Sequence, residues 1–333
     1  MVPVKLKLGD EVRVIAPAKS LAIISQENIK YALQTLEKLG LRVSFGGHVN
    51  ENDMMMSSSV SSRLNDLHEA FADTNVNAIL TVLGGYNSNQ LLDHIEYELI
   101  AKNPKILCGF SDITALSNAI HTKTGLVTYS GPHFSTFSMQ KGLEYTLEYF
   151  KKALFRKEPI CIKPSDKWSS DATWYLDQDN RTFYENPGIR VIHSGVAEGK
   201  IIGGNLGTLQ LLRGTSYMPS LDGVILCLEE IANHTNGIDV FEFERNLESL
   251  IQSPDFEGVQ AIVFGRFETN FKMTPEKLHH IIATKSKLKN IPIVSGLDFG
   301  HSTPIITFPI GGWCYVDAKS NGIAELIIAD KKK

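Results

Sequence analysis

What most constrains this chain is an alternation: strand-sized apolar runs hand over, through short turns, to stretches whose apolar residues recur at helical spacing. Residues 13–16 read as a strand, 25–39 as a helix and 42–45 as the next strand. Strands joined through a helix return parallel to one another, so the pattern specifies β/α units around a parallel sheet. Ser59 stands ahead of SSRLNDLHEAF, whose Leu64, Leu67, His68 and Phe71 share a helical face. Residues 54–59 are therefore read as a surface loop that caps a helix. Further units follow, with strands at 78–83 and 105–108 and helices at 88–100 and 112–122. A doubly wound α/β domain is expected for the first half.

Between about residues 163 and 199 the regularity fails. KPSDKWSSDATWYLDQDNRTFYENPG is polar and turn-rich, yet it carries Trp168, Trp174, Tyr175, Phe183 and Tyr184. Disordered linkers are poor in aromatic residues, so this segment is read as an ordered flap over a site. Beyond it, 200–203, 223–228, 261–264 and 292–295 read as strands and 206–212 and 243–249 as helices, closed by a β-rich tail from 305 to 328. At roughly 150 residues per domain, 333 residues suit two cores. The expected division is an N-terminal domain over 1–163, the flap over 164–199, and a C-terminal α/β domain over 200–333.

With 33 Lys and Arg against 37 Asp and Glu, the formal charge is −4, and no basic field exists to attract a nucleic-acid polymer. The opening MVPVKLKLGDEVRVIAPA is interrupted by charges and lacks the apolar run of a secretion signal. No apolar run approaches the roughly 20 residues of a membrane span. Cys108, Cys161, Cys227 and Cys314 have no CxxC spacing, and two lie in apolar strand-like runs, which suits reduced thiols. A cytoplasmic protein without a membrane partner is expected.

The sharpest chemical signal is Lys105-Ile-Leu-Cys-Gly-Phe-Ser111-Asp-Ile-Thr, a strand, a glycine, and a serine at a tight turn that opens a helix. Such a serine projects its hydroxyl at the carboxyl edge of a parallel sheet, over a helix N-terminus that stabilises negative charge. Ile113 occupies the place of the second glycine of a G-x-S-x-G elbow, and a plain helix cap is the competing reading of Ser111. In Leu83-Gly84-Gly85-Tyr86 a second strand runs into a glycine turn, where the Gly85 N–H could join that of Asp112 around an oxyanion. A nucleophilic serine needs a base and an orienting acid. Of ten histidines, His301 follows a strand between Gly300 and a proline-containing turn; Glu229 ends the apolar run 224–228, with Glu230 as the competing acid. Lys200-Ile-Ile-Gly-Gly-Asn205 lacks both G-x-G-x-x-G and GK[ST] spacing, so Asn205 is read as a residue offered to substrate rather than as part of a nucleotide fingerprint. Neither a metal nor an organic cofactor is expected, because no HExxH or Cys/His cluster appears.

Taken together, Leu83-Gly-Gly-Tyr-Asn-Ser-Asn-Gln, Gly109-Phe-Ser-Asp-Ile-Thr, Gly203-Gly-Asn-Leu-Gly-Thr-Leu, Leu226-Cys-Leu-Glu-Glu and Gly300-His-Ser-Thr-Pro resemble, in order and spacing, the LD-carboxypeptidase family of serine peptidases. The resemblance covers nearly the whole chain. It implies Ser111 as nucleophile, His301 as general base and then acid, Glu229 as the orienting carboxylate, and the Gly85 and Asp112 N–H groups as oxyanion donors. It also implies an N-terminal domain similar to class I glutamine amidotransferases, a swivelling β-rich C-terminal domain and a homodimer. Glu230 stands where the family usually has Asp, so the choice between the two glutamates stays open, and Phe110 stands where Tyr is usual. The Asn-Ser-Asn after the glycine pair and the Trp-bearing insertion resemble the branch of microcin C self-immunity peptidases. In that branch the amide joins a peptide's terminal Asp to a modified adenylate, whereas the wider family cleaves a terminal D-amino acid from a murein tetrapeptide. Trp174 would stack on adenine, contributing on the order of 1–3 kcal/mol. Asn233 would lie near the acyl side chain without offering it a cation. The substrate expected is a small peptide or peptide-nucleotide conjugate. A non-catalytic binding protein on the same scaffold is the reading from another class, and a glutaminase acting through Cys108 is weaker still.

Overall fold

The computed structural model describes residues 1–171, 173–233 and 237–332. Strands β1 (Glu11–Ile15), β2 (Arg42–Phe45), β3 (Val76–Thr81), β4 (Ile106–Gly109) and β5 (Thr128–Ser130) pair in parallel in the order β2-β1-β3-β4-β5. Helices α1 (Gln26–Lys38), α2 (Val60–Ala72), α3 (Tyr97–Lys102) and α4 (Ile113–Thr124) connect them, and α5 (Glu144–Phe155) follows. Serines start the first two helices: Ser25 accepts from the Asn28 N–H and Ser59 from that of Ser62. β3 is buried along nearly its whole length, as a strand covered by helices on both faces must be. The sheet order reverses between β1 and β3, and open α/β sheets bind ligands beyond the carboxyl ends of their strands at such a point.

The chain then leaves this sheet. β6 (Ile160–Cys161) joins a second sheet, β7 (Lys167–Trp168) and β8 (Tyr184–Glu185) form a small antiparallel ribbon, and β9 (Arg190–His193) returns to the second sheet. β10 (Gly195–Asn205), α6 (Leu206–Gln210), β11 (Val224–Glu229), α7 (Asp239–Ile251), β12 (Ala261–Gly265), α8 (Pro275–Ala283) and β13 (Ile293–Leu297) build a parallel β10-β11-β12-β13 centre. β14 (Phe308–Ile310), β15 (Trp313–Ala318) and β16 (Ala324–Ala329) end the fold. Among the described residues the second sheet runs β6-β16-β15-β10-β11-β12-β13-β9, the outer strands antiparallel. The architecture is a parallel-sheet α/β N-terminal domain and a β-rich C-terminal domain.

Two features depart from a simple division of the chain. The sheets exchange strands: β6, inside the expected N-terminal stretch 1–163, and β9, inside the expected flap 164–199, both belong to the second sheet. Conversely β14, part of the expected β-rich tail, pairs antiparallel with β5 of the first sheet. The helix expected over 88–100 is also broken, into a 3-10 segment Ser88–His94 and α3. Tertiary partners take its polar groups: Asp112 accepts from the Asn87 and Ser88 N–H groups, and Arg63 donates to the Asn87 carbonyl and the Gln90 side chain. Helical spacing of apolar residues cannot register such competition. No helix among the described residues is long and apolar enough to cross a membrane.

Candidate active site

The carboxyl ends of both parallel sheets face one cleft. β4 delivers Ser111, which adopts φ 60° immediately before α4. For a residue other than glycine that left-handed conformation is strained, and it aims a side chain out of a strand-to-helix turn. β11 ends at Glu229, and His301 lies on the segment that crosses from β13 to β14, that is, from the second sheet to the first. His301 Nε2 lies 2.9 Å from Ser111 Oγ, and His301 Nδ1 lies 2.7 Å from Glu229 Oε2. The three side chains are in one hydrogen-bonded line, although they are 72 and 190 residues apart in sequence along its two links.

Glu229 is only 3% exposed, and its Oε1 has no hydrogen-bond partner among the described residues. Burial alone would pull the His301 imidazole down, but the charge and hydrogen bond of Glu229, with Glu268 and Glu230 beyond, outweigh it and hold His301 above its ordinary value of 6.5. A second histidine, His133, packs face to face on Phe110 at 4.4 Å, and Phe110 in turn touches the His301 ring at 5.3 Å. Burial, then the charge of His301, pushes His133 down to about 3, so it stays neutral beside the line.

The alternative acid turns elsewhere. Glu230 accepts from Asn205 Nδ2 at 2.7 Å and from the Gly207 N–H at 2.9 Å, and burial followed by the Glu229 charge pushes it up. Asn205 caps α6, its Oδ1 accepting from the Thr208 N–H and hydroxyl. Its side chain is thus already engaged with the protein at both ends, while it borders the cleft. Cys108 is fully buried in β4, and burial pushes its thiol up, away from nucleophilic use.

The glycine turn passes over Ser111. A Cβ on Gly84 would stand 2.9 Å from Ser111 Cβ and 3.0 Å from its Oγ, so no larger residue fits there without displacing the serine. The Gly84 carbonyl accepts from the Lys19 N–H, which turns the next amide, that of Gly85, the other way. Neither the Gly85 N–H nor the Asp112 N–H has an acceptor among the described residues. Asp112, 2% exposed, fastens the two turns together: its carboxylate accepts from the Asn87 N–H at 3.0 Å and from the Ser88 N–H at 2.9 Å, and its main-chain carbonyl accepts from Ser88 Oγ at 2.7 Å. Sequence reasoning singled out the Asp112 backbone and missed this side-chain role.

Two clefts meet at His301, and Ser111 lines the smaller of them. The smaller, about 400 Å³, is bordered by Gly85, Ser111, Asp112, Asn205, Glu230 and Asn233. Asn233 sits exposed at its rim, where its Oδ1 accepts from the Tyr86 hydroxyl at 3.2 Å. The larger, about 560 Å³, is bordered by Asn28, Trp174, Tyr175, Glu268, His301 and Thr303. Trp174, Tyr175 and Leu176, between β7 and β8, border it; nearby, Gln178 bonds Asn28 and the backbone of Ser138 and Gln140, and Ser169 pairs with Thr303 two residues past His301. Trp174 is half-buried against this cleft, whereas Trp168 lies against Arg266 and Tyr184. Glu268, missed in the sequence, is buried with Oε2 accepting from the Ala232 N–H, and burial raises it.

Two family models match this chain, the LD-carboxypeptidase N-terminal domain over residues 12–131 and the LD-carboxypeptidase C-terminal domain over residues 198–316. An MccF-like protein from Bacillus anthracis is similar throughout, with a TM-score of 0.97, 52% identity and 99% of each chain covered. The microcin C7 self-immunity protein MccF of Escherichia coli is 29% identical, over 96% of this chain and 94% of its own. Its structure in complex with aspartyl sulfamoyl adenosine has a TM-score of 0.87 at 27% identity, covering 99% of this chain and 98% of that one. The murein tetrapeptide carboxypeptidase of Pseudomonas aeruginosa is 29% identical, over 91% of this chain and 92% of its own.

Proposed function

As the chain belongs to the LD-carboxypeptidase family of serine-type hydrolases, we propose that it cleaves an amide at the carboxyl end of a small substrate through Ser111, His301 and Glu229. The observation that carries this reading is the unbroken hydrogen-bond line from Ser111 Oγ through both imidazole nitrogens to Glu229, at 2.9 and 2.7 Å. Neutral His301 takes the Ser111 proton as Oγ attacks the carbonyl carbon, and Glu229 stabilises the imidazolium that results. The Gly85 and Asp112 N–H groups hold the oxyanion, with the positive end of α4 behind them. His301 then gives the proton to the departing nitrogen, and a water molecule deprotonated by His301 hydrolyses the acyl-serine ester.

The leaving group belongs in the larger cleft, because His301 must protonate it and that cleft borders His301 without touching the oxyanion donors. The acyl portion belongs in the smaller one, beside Asn205 and Asn233. Trp174 on the leaving-group side, together with the likeness to MccF, favours an aminoacyl or peptidyl nucleotide conjugate as substrate. A murein-type peptide is the second reading, favoured by Glu230, Asp239 and Glu242 on the acyl side, which suit the side-chain ammonium of a diamino acid better than a carboxylate.

The test is to incubate the protein separately with aspartyl sulfamoyl adenosine and with a murein tetrapeptide, following release of the nucleoside or of the terminal D-amino acid. Turnover that falls about 10⁴-fold or more in a folded Ser111→Ala variant supports the triad. Activity retained in that variant rules it out, and the preferred substrate identifies the branch.

A further inference from the structure

Lys19 takes no part in the proton relay, yet it borders both clefts. Among the described residues it is the one lysine or arginine lining either of them. It lies on the loop after β1, at the reversal point of the first sheet, and its N–H donates to the Gly84 carbonyl at 3.2 Å. Its Cγ packs 3.2 Å from where a Cβ on Gly85 would stand, so the lysine stem is moulded to the turn that overhangs Ser111. The side chain is half-buried, and among the described residues no carboxylate stands within ion-pair distance of it. Its ammonium instead lies over the Tyr86 ring, 5.8 Å from the centroid. Carboxylates lining the same clefts are held by other groups: Glu230 by Asn205 and the Gly207 N–H, Glu268 by the Ala232 N–H, and Glu242 by Arg245. A cation without a counter-ion among the described residues, fixed where two clefts meet beside His301, is a ready partner for a charge carried by the ligand.

We propose that Lys19 binds an anionic group of the substrate adjoining the scissile nitrogen, either the phosphoryl-type oxygens of a nucleotide conjugate or the terminal carboxylate of a peptide. The location of the scissile bond rests on the acyl-transfer reading above; the preference for an anion does not. Lys19 is a substrate-binding residue that sets specificity, so its loss weakens binding of charged ligands and spares that of neutral ones.

Calorimetric titration of the Ser111→Ala protein, which holds ligand without turning it over, tests this with two matched pairs: AMP against adenosine, and N-acetyl-lysyl-D-alanine against its carboxamide. The anionic member of at least one pair is expected to bind more tightly. Lys19→Met then weakens that member by about 10- to 100-fold, leaves the neutral member unchanged, and is rescued in Lys19→Arg. A response of the AMP pair alone identifies a phosphoryl partner, and of the peptide pair alone a carboxylate. Absence of any preference for the anionic members overturns the inference, as does a Lys19→Met loss that falls equally on charged and neutral ligands. Failure of the wild-type protein to hydrolyse either substrate class counts instead against the acyl-transfer reading, since the binding comparison is made without turnover.

Discussion

Ser111, His301 and Glu229 are each recognisable by residue type and local pattern, but the pairing among them is set by which way side chains point. Successive residues at the end of a strand face opposite sides, so Glu229 and Glu230 are sent to different partners. The sequence leaves that choice open; in the structure Glu229 meets His301 and Glu230 meets Asn205. A titration follows from it. The proposed base must be neutral to act, and His301 is held above 6.5 against the opposing pull of burial, chiefly by Glu229. The acid limb of the kcat/KM profile is therefore expected above that value, with activity falling as pH drops through it. Glu229→Gln removes the charge that favours the imidazolium, so the limb moves to lower pH while kcat falls. A pH-rate profile of the variant that keeps its limb in place would separate Glu229 from the imidazole.

The turns and the flap show how elements carry the site. Asp112 stands where α4 begins, and no local rule predicts that its carboxylate reaches across to the Asn87-Ser88 turn after β3. That contact ties the turn that carries Gly85 to the one that carries Asp112, the two residues whose N–H groups are proposed as oxyanion donors. In Asp112→Ala the backbone donor remains, but its register with Gly85 loosens and two N–H groups lose their acceptor. A fall in kcat of about 10- to 100-fold with a smaller change in KM is expected from steady-state kinetics, and a lower Tm from leaving those groups unpaired. The flap was expected to be ordered because its aromatic residues need something to pack on; Gln178 and Ser169 of this stretch contact Asn28, Ser138 and Thr303. Which tryptophan meets the cleft was legible only in part, since Trp168 and Trp174 differ in their tertiary neighbours rather than in local pattern. For a nucleotide substrate Trp174→Ala is expected to raise KM about 10-fold or more, in line with the loss of one base-aromatic stack; an unchanged KM would remove Trp174 from the leaving-group site.

Convergence of the line depends on how the two sheets are locked. The segment bearing His301 is pinned at both ends, by β13 in the second sheet and by β14 in the first. Helix α4, which follows Ser111, packs on the end of β10: Thr114 Oγ1 accepts from the Asn205 N–H at 2.9 Å, and Asn118 bonds Gly203 through both its amide atoms. This approach requires glycine at 204, where φ is 122° and a Cβ would stand 2.4 Å from Thr114 Oγ1. Gly204→Val is expected to cost about 1–3 kcal/mol by overpacking and to lower Tm by several degrees. Because it separates the strand end from the helix that follows Ser111, kcat should fall with it; a thermal melt and kinetics on the same sample check both.

The alternation of strand and helix, the two glycine turns and the chemistry of a serine, a histidine and an acid were all readable along the chain, because each depends on residues within a turn or two of one another. Left to three dimensions were the exchange of β6 and β14 between sheets, the split of the 88–100 helix, the choice of Glu229, and the closing of the hydrogen-bond line. Those outcomes depend on pairings between segments far apart in sequence, whose free energy is decided by register and burial that no local pattern encodes.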